Sequence, residues 1–372
     1  MSTFDDVDIA RLRQRRSVKW RRHPPDVLSA WVAEMDFPAP PVVRAALLEA
    51  IEREDYGYPL ADADTGVPEA LAGWLQQRYA WTVDPAGIFL VPDVLKGIEL
   101  AIETFSPAGT AVVVPTPTYA PFFEVVRICG RELVQVPMVA GRMDLDRIAA
   151  ALAAGARTVL IGSPQNPTGR VYGRVELEAL IAVTRRYGAR LISDEVHAPL
   201  TFPGAQHLPA AQLDDQVLTI TSASKAWNLA GLKCAQVVLV NAADAERWRG
   251  LPALKTHGVT TFGIAATVAA FVEGGPWLDE LVAYLDANRR LIGTLLPEGI
   301  EYRPPEATYL AWLDCTKLGL ADPMLFFREQ ARVAVTTGGH FGPGGEGYVR
   351  LNFGTSAALL TRILQAMSDA LA

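Results

Sequence analysis

Two hydrophobic periods alternate along the first two thirds of the chain. Apolar residues recur at helical spacing over 42–53, 67–79, 93–105, 118–128, 144–154 and 174–187. From residue 88 onward these stretches are interleaved with short runs over 88–91, 111–114, 158–161, 190–193, 217–221 and 236–240. The runs are apolar on both faces, as strands buried from two sides must be. Strands of that kind, spaced by helices, predict an α/β fold with a mainly parallel, seven-stranded sheet and helices on both faces. Ligands in such sheets bind at the carboxyl ends of the strands, so the residues that follow each run are the first place to look for chemistry.

The pattern changes at both ends. The first 23 residues crowd Arg11, Arg13, Arg15, Arg16, Lys19, Arg21 and Arg22 around Trp20, with acidic residues between them. This reads as a solvated or subunit-crossing arm rather than a nucleic-acid arm. Tyr56-Gly57-Tyr58-Pro59 reads as a turn. Beyond about residue 255 come an amphipathic helix over 277–296, a strand over 309–313, a six-glycine loop over 336–347, a strand over 348–352 and a closing helix over 357–371. These make a smaller α+β domain. The expected division is an arm over 1–40, contributing to the small domain and to a dimer, a large domain over 41–255 and a small domain over 256–372. No internal repeat or low-complexity segment is present.

Composition narrows the function classes. A chain of 372 residues, half hydrophobic and one fifth charged, is an ordinary globular protein of about two domains. The net charge of -7 gives no drive toward nucleic acid or an anionic membrane. There is neither a bilayer-length apolar run nor a signal peptide. Cys129, Cys234 and Cys315 are odd in number and far apart, which fits neither a metal site nor a disulfide framework and points to a reducing cytoplasm.

Only six residues are lysine, and two of them, Lys225 and Lys233, fall in Ser222-Ala223-Ser224-Lys225-Ala226-Trp227-Asn228-Leu229-Ala230-Gly231-Leu232-Lys233. A lysine straight after a buried strand is costly as core. It suits a covalent catalyst, because a desolvated amine attacks carbonyls. The hydroxyls and the second lysine suit a phosphate. One ligand carries both an aldehyde and a phosphate, pyridoxal 5′-phosphate.

Other strand ends supply the remainder. Ser163-Pro164-Gln165-Asn166-Pro167-Thr168-Gly169 fixes the amide of Asn166 on a rigid turn. Asp194-Glu195-Val196-His197 ends a strand in a carboxylate that needs a cationic partner, such as a pyridinium nitrogen; alone, Asp194 would read equally well as a helix cap. Pro92-Asp93-Val94-Leu95-Lys96-Gly97 enters a helix whose N-terminus can bind phosphate, with Asp93 an unhelpful charge there unless it caps the helix and points away. Pro115-Thr116-Pro117-Thr118-Tyr119 can lay an aromatic ring on a planar cofactor. Arg350, behind the glycine loop, can hold a substrate carboxylate.

Tyr119, Asn166, Asp194, Lys225, Lys233 and Arg350, in this order and with these local contexts, resemble the fold-type I pyridoxal-phosphate enzymes of the class I/II aminotransferase superfamily. Within it the chain looks most like the MalY/PatB-like cystathionine β-lyase (C–S lyase) branch, through "SVKW", "WVAEMDF", "YGY", "DEVH", "EATYLAWLD" and "YVRLNFG". The resemblance implies that Lys225 links the cofactor covalently and moves the Cα proton, and that Asp194 pairs with the ring nitrogen. It gives Asn166 and His197 the ring oxygen, and stacks Tyr119 on the ring, with Tyr119 or Lys225 as proton donor to the leaving group. Val94, Leu95, Ser222, Ser224 and Lys233 would hold the phosphate. Tyr58 would reach the phosphate of a neighbouring subunit, making a homodimer with shared sites. Arg350, Asn166 and Ala33 would meet the amino-acid substrate. The implied reaction is α,β-elimination of cystathionine or a related cysteine S-conjugate to thiol, pyruvate and ammonia. An aminotransferase on the same scaffold, or a regulatory protein that binds the cofactor without turnover, are the alternatives. Gln165, where the branch commonly has His, Glu34 in place of Asp, and Pro92, Asp93 and Lys96 in the phosphate loop depart from the pattern. Gln165, His197 and Glu34 are expected to tune the choice between elimination and transamination.

Overall fold

A computed structural model describes residues 4–372. Its centre is a seven-stranded sheet, numbered here in chain order as β1 (Ile88–Val91), β2 (Ala111–Thr116), β3 (Glu132–Pro137), β4 (Thr158–Gly162), β5 (Arg190–Asp194), β6 (Leu218–Thr221) and β7 (Ala235–Val238). The spatial order is β1-β7-β6-β5-β4-β2-β3, and β7 alone runs antiparallel to its neighbours. Side chains alternate between two apolar cores, as the period of two requires. Val113, Val159, Ile161, Leu191 and Val238 enter one core, while Val112, Val114, Leu160, Ile192 and Val237 enter the other. This is why the runs read as apolar on both faces.

Six of the seven strands were expected, and β3 was not. It lies at the sheet edge, begins with exposed Glu132 and is only partly buried along most of its length, so it carries no apolar run to detect. Helices occupy Val67–Tyr79, Val94–Phe105, Pro121–Ile128, Leu145–Ala153 and Arg174–Arg186, close to the expected spans. The third starts late because Pro121 sits at its first turn. Among the described residues, five helices escaped the pattern. Ile9–Gln14, Ala253–Thr256 and Pro323–Glu329 each run for seven residues or fewer. Ala242–Arg249 is short and polar on average; Thr261–Glu273 is apolar almost all round and packs on Pro41–Glu52 and Val67–Tyr79.

Residues 301–352 build a four-stranded antiparallel sheet in which Leu310–Asp314 pairs with Tyr348–Asn352, with Trp312 opposite Arg350. The glycine stretch is not one loop, as expected. Thr336–Thr337 adds a strand beside Arg350 and Gly338–Phe341 forms a 3-10 turn. A Cβ on Gly338 would lie 2.1 Å from the Gly345 carbonyl, so the chain can double back there only without a side chain.

The N-terminal arm is not solvated along its length. Phe4 is buried against Phe37 and Trp277, and Leu28–Ser29 pairs in parallel with Val333–Ala334. Lys19 is buried in an ion pair with Asp36 at 2.9 Å, its ammonium also donating to the Glu34 carbonyl at 2.9 Å. Among the described residues no helix is long and apolar enough to cross a membrane.

Candidate active site

Register brings the strand ends together. Gly162 lies opposite Asp194, and Asp194 opposite Ile220, so the turns after β4, β5 and β6 emerge side by side at one edge of the sheet. The helix Val94–Phe105 aims its N-terminus at the same edge. It lies close to the sheet because Gly97 has no side chain, and a Cβ there would sit 3.1–3.3 Å from Ile220, Val237 and Val91. The Asn166 turn is clamped from a distant part of the chain: the Gly169 carbonyl accepts from the N–H groups of Glu306 and Ala307, both at 2.9 Å.

A cavity of about 270 Å³ opens where these parts meet. Ala33, Val94, Leu95, Tyr119, Asn166, Asp194, His197, Ser222, Ser224, Lys225, Lys233 and Arg350 all line it, so every residue to which the resemblance gave a cofactor or substrate contact is present except Tyr58. Tyr58 is 90 % exposed and borders a separate surface groove near the helix Thr261–Glu273.

The electrostatics are those of groups taken out of water with few partners. Burial lowers the Lys225 pKa to about 8, nearby Arg350 adds to the depression, and Asp194 only partly offsets it. The Lys225 ammonium or amine donates to the Ala33 carbonyl at 2.9 Å. Burial raises Asp194 to about 7, against a hydrogen bond from the Val196 N–H at 3.1 Å and the charge of Lys225. His197 is held neutral, its pKa pushed down to about 3 by burial and then by Lys225 and Arg350. Its Nδ1 is buried with no hydrogen-bond partner. Arg350 donates from Nη1 to Asn166 Oδ1 and from Nη2 to the Trp31 carbonyl, both at 3.0 Å, and its guanidinium lies over the Phe341 ring. Its buried Nε has no partner.

Several residues at the site were not legible as functional. The Tyr309 hydroxyl donates to the same Ala33 carbonyl at 2.9 Å, and its ring stands edge-on to His197. Asn228 receives the Met35 N–H and donates to the carbonyls of Met35 and Phe37, while Asn352 donates to those of Val32 and Glu34. Together they fix the segment 31–37 as one wall of the cavity. Tyr309, Asn228 and Asn352 all lie inside the motifs quoted above, and only their positions in space reveal their partners. Gln165 and Glu34, expected to tune the reaction from the pocket, do not line it. Gln165 is spent on the Pro117 carbonyl and on Thr168, and the Glu34 carboxylate accepts from Ser17 at 2.6 Å.

The sequence pattern described as Aminotransferase class I and II matches residues 31–367. The chain belongs to the aminotransferase class I and II family. Within it, the chain is 39% identical to a cystathionine β-lyase of Corynebacterium glutamicum over 98% of this chain and 99% of that protein. It is 34% identical to the cystathionine β-lyase PatB of Bacillus subtilis, over 96% and 97% of the two chains. The solved structure of a pyridoxal-phosphate-bound C–S lyase from Staphylococcus hominis superposes with a TM-score of 0.91 at 26% identity, covering 99% and 98%. The residues of this aminotransferase-family site fit pyridoxal phosphate. Asp194 is a buried carboxylate short of a cation, which a protonated ring nitrogen supplies. Lys225 is an amine near neutrality, and Ser222, Ser224 and Lys233 cluster at a helix N-terminus, where an anion is favoured.

Proposed function

We propose that this chain is a pyridoxal-phosphate-dependent C–S lyase that cleaves cystathionine or a related cysteine S-conjugate by α,β-elimination to thiol, pyruvate and ammonia. One observation carries the reading: Lys225, with its lowered pKa, faces Asp194 in a single cavity, in a chain matched end to end by cystathionine β-lyases.

Lys225 would hold the cofactor covalently, Asp194 its ring nitrogen, Asn166 and His197 its ring oxygen, and Tyr119 its ring face. Val94, Leu95, Ser222, Ser224 and Lys233 would hold its phosphate. When bound, the cofactor supplies an electron sink for charge left at the substrate Cα. The protein does the rest. Arg350 orients the substrate by its carboxylate, with Asn166 and Ala33 beside it. Lys225 takes the Cα proton at Nζ, which needs the neutral amine that burial favours. Lys225 or Tyr119 then protonates the departing sulfur, and water releases pyruvate and ammonia. His197, neutral at any pH of interest, serves as a hydrogen-bonding group rather than a charge.

The remaining parts of the proposal concern assembly. The exposed Tyr58 suits a homodimer in which it reaches the partner's phosphate site. The arm over 1–40, the large domain over 41–255 and the small domain over 256–372 are the working division, and the three free buried cysteines suit a cytoplasmic protein. The test of the reaction is release of homocysteine from cystathionine by the purified protein loaded with pyridoxal phosphate. Steady release that is absent from Lys225→Ala supports the reading; no release from cystathionine or any cysteine S-conjugate sinks it.

A further inference from the structure

Asp93 neither points away from the phosphate end of the cavity nor serves only as a cap. Its Oδ1 accepts from the Lys96 N–H at 2.9 Å, capping the helix Val94–Phe105, while Oδ2 meets the Lys233 ammonium at 2.7 Å. Asp93 and Lys233 line the cavity beside Val94, Leu95, Ser222 and Ser224. Capping requires only a side-chain oxygen, which a neutral residue supplies equally well. The negative charge is therefore an addition, set where a helix N-terminus already favours an anion. Lys96 does not offset it, because its ammonium is turned to Glu99 at 2.7 Å. Burial works to raise the Asp93 pKa, but Lys233 and the Lys96 N–H outweigh it and keep the carboxylate ionised.

We propose that Asp93 is a built-in rival of the cofactor phosphate, competing with it for Lys233 and for the helix N-terminus, and that it thereby sets how tightly the chain holds pyridoxal phosphate. The proposal rests on the cofactor reading given above. In the cofactor-free chain the carboxylate already holds the Lys233 ammonium, both side chains being about half exposed. When phosphate arrives, one ammonium must serve two anions. Two oxygens bonded to the same nitrogen lie at most about 6 Å apart, close enough for their repulsion to weaken binding measurably. The chain gains a cofactor that exchanges readily, and Asp93 acts as a positioning residue through Lys233.

Asp93→Asn and Asp93→Ser keep a capping oxygen and remove the charge. The experiment measures the affinity of the cofactor-free protein for pyridoxal 5′-phosphate and for pyridoxal, which lacks the phosphate, by quenching of tryptophan fluorescence. Both variants are expected to bind pyridoxal phosphate about three- to tenfold tighter and pyridoxal no more tightly than wild type. In a Lys233→Gln background the gain from Asp93→Asn should shrink. Unchanged or weaker binding of pyridoxal phosphate, or an equal gain for both ligands, overturns the proposal. A wild-type chain that takes up no pyridoxal phosphate overturns the cofactor reading itself, and that shows in the wild-type titration alone.

Discussion

Asp194 carries the clearest pH signature at the residue scale. In the cofactor-free chain its pKa stands at about 7, above the ordinary 3.8. A raised carboxylate binds its proton more tightly folded than unfolded, so folding stability falls as pH rises between those values and the full penalty applies above about 7. His197, lowered to about 3 from 6.5, acts with the opposite sign over an overlapping window, so the comparison must be between variants and not along one curve. Asp194→Asn in the cofactor-free protein should therefore raise the melting temperature above pH 7 and lose that advantage as the pH falls toward 3.8. A pH-independent difference would remove the claim that the buried charge is uncompensated. For Arg350, replacement by Lys keeps the charge but loses the planar fork, and KM for the amino acid should rise about 10- to 100-fold. Lys225, Asp194 and Asn166 were legible because each is an expensive residue at or just past the end of an apolar run, and Arg350 because it follows the glycine loop. Tyr309 and the Ala33 carbonyl were not: the first reads as strand core, and a backbone oxygen has no signature in sequence at all.

Elements give a different lesson. The wall formed by residues 31–37 has no secondary structure of its own and is held by side chains from five parts of the chain: 15–20, 225–228, 309, 336 and 350–352. Lys19 is the buried charged anchor among these, and both partners in its pair with Asp36 are 1 % exposed. Lys19→Met leaves Asp36 as an uncompensated buried charge, and a loss of about 3–5 kcal/mol in stability is expected by chemical denaturation. Replacing Asp36 as well, by Leu, should restore part of that loss, because the desolvation cost of the pair is removed with it. The sequence pattern located six of the seven strands through their two-sided burial. It could not locate β3, which is only partly buried along most of its length, or the helix Thr261–Glu273, whose nearly uniform apolarity leaves no periodic contrast. The charged arm misled for a related reason: its arginines are mostly at the surface, while Phe4 before them and Leu12, Lys19 and Trp20 between them are core.

At the scale of the whole molecule, the family match and the two-faced sheet agree with what alternation of the two periods implies. Tyr58 is the exception, 90 % exposed and outside the cavity. If it serves a partner's site, the protein should sediment at twice the 40.2 kDa of one chain. Tyr58→Ala and Lys225→Ala, each inactive or nearly so alone, should then recover activity when co-expressed, because a hybrid dimer carries one site with neither change. A monomer, or no recovery in hybrids, would return Tyr58 to an ordinary surface loop. The central claim, however, is the fate of the substrate after Lys225 takes its proton. The most direct measurement is pyruvate and thiol formed from cystathionine with no 2-oxo acid present, beside the same assay with a 2-oxo acid added. Equimolar pyruvate and thiol, indifferent to the added acid, is the expected result; turnover that appears only when the 2-oxo acid is supplied would contradict elimination and make this chain an aminotransferase.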